Sequence, residues 1–83
     1  MTKAQQETVK TVAANGGYVC CQSGNRAGWW CAFLDQEVGA FIAREPKLST
    51  RVMRSLWDVG LLERAGPGYS AKAFFRIREV PNP

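Results

Sequence analysis

Between positions 44 and 78 this chain carries eight basic side chains (Arg44, Lys47, Arg51, Arg54, Arg64, Lys72, Arg76 and Arg78) against three acids, Glu45, Asp58 and Glu63. That segment has a net charge of +5, whereas the whole 83-residue chain has +4. All the excess positive charge lies in one half. Guanidinium and ammonium groups gathered in this way bind polyanions, by neutralising phosphates and releasing condensed counterions. Acid–base and nucleophilic chemistry is poorly supplied. No histidine is present to titrate near neutrality, and Asp35 and Glu37, two apart, do not share a helix face. Gly24-Asn25-Arg26-Ala27-Gly28 lacks the lysine and Ser/Thr of a phosphate-binding loop. A cysteine nucleophile would have Arg26 as its sole cationic neighbour. No catalytic residue is predicted, and no enzyme.

The three cysteines, Cys20, Cys21 and Cys31, are an odd number, which fits a reducing compartment. Without histidine they fall one ligand short of a closed zinc site, so neither a metal nor a cofactor is expected. They read as small buried apolar residues.

The basic groups need elements to position them. Residues 49–59 form an amphipathic helix on a 100° wheel. Val52, Leu56, Val59 and Gly60 fall on one side with Met53 at its margin. Arg54 lies opposite, flanked by Thr50, Arg51 and Asp58, with Ser55 and Trp57 at the borders. Ser49 is the N-cap, Leu48 can pack back onto Met53, and Gly60 supplies the stop. A hairpin over 61–78 follows, turned by Gly66-Pro67-Gly68. Alternation puts Phe75 and Ile77 on the core beside Leu61 or Leu62, and Phe74, Arg76 and Arg78 toward solvent unless a partner covers them.

Helix, short strand, tight turn and basic strand over 48–77, with the junction Val59-Gly60-Leu61-Leu62-Glu63-Arg64, resembles the second half of a winged helix-turn-helix domain of small bacterial and phage regulators. The resemblance implies an α+β fold of three helices, a small antiparallel sheet and a C-terminal hairpin wing. It makes 49–59 the recognition helix and 65–73 the wing tip. It names no target site, and such scaffolds also bind proteins.

The first half is read to match. A helix over 2–15 opens with a capping box of Thr2 and Gln5, carries Gln5, Val9, Val12 and Ala13 on one side, and ends at Asn15-Gly16-Gly17. A strand or hairpin occupies 17–33, with a loop over 23–28. Residues 29–33 are ambiguous: their aromatics favour a strand, yet Trp30, Phe33, Leu34, Val38, Phe41 and Ile42 recur at helical spacing. The adopted reading is a hairpin arm to Phe33 and a helix over 35–44, capped by Asp35, with Gly39 allowing a close helix crossing. Pro46 limits that helix and 45–48 make the turn between helices. The chain is one domain with a loose tail over 79–83.

Double-stranded DNA is the expected partner. Arg51 and Arg54 would reach base edges or phosphates; Ser49, Thr50 and Ser55 would anchor phosphates; Lys47, Lys72, Arg76 and Arg78 would neutralise the flanking backbone. Affinity would come from a homodimer, with Trp29 and Trp30 as its candidate surface. The alternative is a protein-binding inhibitor of host machinery, anti-CRISPR-like, acting on a host nucleoprotein through exposed Trp57 and Phe74 beside arginines. No signal peptide or apolar span is evident, so a cytoplasmic, nucleoid-associated protein is expected.

Overall fold

The computed structural model describes residues 1–78, so the expected tail over 79–83 lies outside the described residues. Thr2 caps the first helix, α1 (Lys3–Ala14): its hydroxyl accepts from the Gln5 N–H while the Gln5 side chain accepts from the Thr2 N–H. Five strands follow in order of sequence, β1 (Tyr18–Gln22), β2 (Gly28–Asp35), β3 (Ala40–Leu48), and then, after helix α2 (Thr50–Asp58), β4 (Leu62–Arg64) and β5 (Lys72–Ile77). They make one antiparallel sheet in the order β3-β2-β1-β5-β4. β3 and β4 are its two edges, so α2 carries the chain across the sheet. Four inter-strand steps of about 4.8 Å make roughly 19 Å, which a helix of nine residues, about 13.5 Å long, covers with its flanking residues.

Two helices and five strands replace the three-helix winged layout that the sequence suggested. The error lies over 35–44. Asp35 does what an N-cap does, accepting from the N–H groups of Glu37 at 3.0 Å and Val38 at 3.2 Å. The chain then reverses instead of continuing, because Gly39 takes φ +74° and donates to the Asp35 carbonyl at 2.7 Å. Asp35 therefore makes a hairpin turn between β2 and β3. Phe33 faces Ile42 and Leu34 faces Phe41 across that hairpin. Residues paired symmetrically about a turn happen to mimic a helical repeat. Gly39 serves the turn and no helix crossing, since a Cβ there would meet nothing within 4 Å. Residues 45–48, read as the turn between helices, belong to edge strand β3.

Each face of the sheet has its own core. On the helix-covered face Val12, Val19, Cys31, Leu48, Met53, Leu56, Leu62 and Phe75 cluster together, with Trp29 packed against them. Met53 and Leu56, both fully buried, centre the apolar side of α2, and Val59, expected there, is 61% exposed. Leu56 lies where the wheel sets it, while Met53, set at the margin, lies at the centre of the apolar side. Burial of such side chains is worth roughly 1.5–3 kcal/mol each. On the opposite face, which no helix covers, Cys20, Ala32 and Phe74 are buried under Tyr18, Trp30, Phe41, Ala43 and Ala65.

Candidate nucleic-acid interface

The open face of the sheet is built from alternate residues of four strands. Register places Lys47, Trp30, Cys20 and Phe74 in one row across β3, β2, β1 and β5. The neighbouring row runs Gly28, Gln22, Lys72. Small residues, Ala32 and Ala43, lie beside the large rings and leave a groove of about 400 Å³. Its lining includes Gln22, Arg26, Trp30, Ala43, Glu45, Tyr69 and Lys72. Clefts that hold small ligands run from roughly 300 to 1,000 Å³.

Cations stand over the rings of this groove. The Arg26 guanidinium lies 4.7 Å and the Lys47 ammonium 5.6 Å from the Trp30 ring centre, and the Lys72 ammonium lies 5.5 Å from that of Tyr69. These distances are within the reach of cation–π attraction. Trp30 is held by its indole N–H, which donates to the Arg26 carbonyl at 2.9 Å. Gly28 lets Lys47 lie across the start of β2: it has φ +131°, and a Cβ on it would fall 2.7 Å from the Lys47 Cε. An alanine there would displace the lysine.

Tyr69 is placed by the loop between β4 and β5. Tyr69 and Lys72 exchange backbone hydrogen bonds, N–H to carbonyl at 3.1 Å and 2.8 Å, around Ser70 and Ala71, both at positive φ. This is the backbone of a tight two-residue hairpin. The Tyr69 hydroxyl donates to the Phe41 carbonyl at 2.6 Å, pinning the loop to β3. Residues 65–73 therefore do not project beside α2 as a wing. They fold over the open face, on the side of the sheet away from α2.

The expected binding residues are thereby divided. Ser49, Thr50, Arg51 and Arg54 are exposed on or at α2. Lys47 and Lys72 belong to the open face. Ser55 is occupied between the helices, accepting from the Gln5 amide at 3.1 Å and donating to the Val52 carbonyl at 2.6 Å, and cannot anchor a phosphate while those bonds stand. Ser49 caps α2, accepting from the Val52 N–H at 3.3 Å. Arg76 is exposed on the face of Lys72 but donates to Glu63, and Arg78 lies 3.6 Å from the same carboxylate. Such exposed pairs contribute about 0–1 kcal/mol.

The aromatic residues offered as partner contacts also separate. Phe74, expected in solvent, is fully buried, between Phe41 at 5.5 Å and Tyr69 at 5.6 Å. The alternation was read correctly, since Phe75 faces the helices; the face opposite simply has a core too. Trp29 is half-buried and packs on Phe75 at 5.6 Å. Trp30 lines the groove. Trp57 is 55% exposed and stands edge-on to Phe75.

Gln22, Arg26, Glu45 and Tyr69 are not among the binding residues expected from the sequence. The signal for Gln22 was present in the alternation of β1, which sets it on the face of Cys20 and Tyr18. Arg26 and Tyr69 come from loops whose path only the folded chain reveals. Burial pushes the thiols of Cys20, Cys21 and Cys31 above their ordinary value, with Lys72 and Arg44 partly opposing this at Cys20 and Cys31. They stay protonated and weakly nucleophilic near neutrality. Among the described residues no group of three or more His, Cys, Asp and Glu is placed to hold a metal ion, and no helix is long and apolar enough to cross a membrane. No family model, no curated protein and no solved structure matches this chain.

Proposed function

We propose that this chain binds single-stranded nucleic acid along the open face of its sheet. The observation that carries the reading is the pairing of cations with aromatic rings on one face, Arg26 and Lys47 at Trp30 and Lys72 at Tyr69. An unpaired base offers its π-face to such rings, and base–aromatic stacking is worth about 1–3 kcal/mol per base. The adjoining cations then meet the phosphates. A duplex keeps its bases stacked on one another and would leave the rings unused.

A second reading, duplex DNA held by α2, draws on Arg51 and Arg54. Both are exposed on one side of the helix, and neither has an ion-pair partner among the described residues. Fluorescence anisotropy with a labelled oligothymidine and with a duplex of the same length, titrated against salt, separates the two. The open-face reading expects tighter binding of the single strand, with log affinity falling by about 0.7 per phosphate contact for each log unit of salt. Preference for the duplex, or no binding of the single strand at low salt, would refute it.

A further inference from the structure

We infer that the groove selects guanine, an inference that rests on its binding a single strand. Glu45 is the observation that points there. The other charged residues along the groove, Arg26, Arg44 and Lys72, are basic, with Arg44 paired to Cys31 and so on the helix-covered face, and a carboxylate beside the two open-face cations repels phosphate. Among the described residues the Glu45 carboxylate has neither an ion-pair nor a hydrogen-bond partner; only its carbonyl is engaged, accepting from the Arg44 Nε at 3.3 Å. Gln22, half-buried and directly opposite Lys72 in the sheet, likewise has an uncommitted side-chain amide among the described residues. The Gln22 amide is open to solvent, since no buried side-chain polar atom among the described residues lacks a partner; Glu45 is exposed, and both residues line the groove.

An acceptor-only carboxylate recognises donors. Guanine alone among the bases presents two adjacent donors on its pairing edge, N1–H and the 2-amino group, which match the two carboxylate oxygens. Adenine and cytosine set one amino group beside a lone pair, and thymine or uracil sets one N–H between two carbonyls. Each of these brings an acceptor against Glu45. Guanine also carries O6 and N7, acceptors suited to the Lys72 ammonium and the Gln22 amide. Its donors and acceptors thus complement the carboxylate and the amine in one groove, and a charge-assisted two-pronged contact is the strong kind.

The test uses the full chain and its Glu45→Gln variant with oligothymidine strands carrying one internal guanine, adenine, cytosine or inosine, all at one low salt concentration. Thermal melting checks that the variant is folded, as expected for an exposed residue. The parent should bind the guanine strand about tenfold more tightly than the adenine or cytosine strand. Inosine, which lacks the 2-amino group, should fall between. Glu45→Gln should erase the preference and hold plain oligothymidine at least as tightly as the parent, because an anion has left a cationic groove. Equal affinity of the parent for all the strands, or a preference that survives in Glu45→Gln, overturns the guanine assignment and leaves single-strand binding standing. Failure of every single strand to bind overturns both.

Discussion

Phe74 and Phe75 are neighbours in β5, and the chain seals them by different means. Phe75 lies under α1 and α2, in a core completed by Met53, Leu56 and Val12. Phe74 faces the other way and is closed over by Phe41, Tyr69 and a loop tied down through one tyrosine hydroxyl. A helix lid fills its side of the sheet continuously. A lid of rings and a turn leaves space between its parts, and here the space is lined by cations. Both faces bury a core that stabilises the fold; the open one also has room for a flat ligand.

Five substitutions, in three comparisons, probe that contrast at decreasing magnitude. Phe74→Ala should destabilise by about 3–5 kcal/mol and Leu56→Ala by about 2–5 kcal/mol, measured by urea unfolding. Comparable losses mean that both faces are true cores. A Phe74→Ala variant that unfolds like the parent would make the open face an ordinary solvated surface. Next, Trp30→Ala should weaken single-strand binding by about 1–3 kcal/mol, while Trp57→Ala leaves it unchanged. The reverse order would move the interface to α2. The smallest effect concerns the loop. Ala71 holds φ +61°, where glycine has no Cβ penalty of roughly 1–2 kcal/mol. Ala71→Gly should raise stability by up to about 1 kcal/mol in the same assay, less than the full penalty because glycine also loosens the unfolded chain. A decrease would mean that the Tyr69–Lys72 turn is not held as described.

These regions were unequally legible in the sequence. α2 could be read because its signals are local: Ser49 caps it, and its apolar and charged residues separate cleanly on a wheel. The alternation of β5 was legible for the same reason, including which phenylalanine faces the helices. What local pattern cannot say is whether the second face of a strand meets water or another core, because the rings of Tyr18, Phe41 and Tyr69 come from three distant stretches of chain. Asp35 shows the other limit. Its side chain makes the same bonds at a helix start and in a hairpin turn, and only Gly39, four residues on, decided between them. The groove needed both pieces of information, the hairpin to bring Lys47 beside Trp30 and the loop to bring Tyr69 beside Lys72.

The three tryptophans give the most direct test. Trp30 is in the groove, Trp29 in the helix-covered core and Trp57 on the exposed side of α2. Their indole N–H signals, resolved in a ¹⁵N–¹H correlation spectrum and assigned by substitution, report separately on each place. Titration with oligothymidine should shift the Trp30 indole and the backbone amides of Gln22, Arg26 and Lys72, and leave the Trp57 indole where it was. Shifts confined to Trp57, Arg51 and Arg54 would contradict the account and place the interface on the helix.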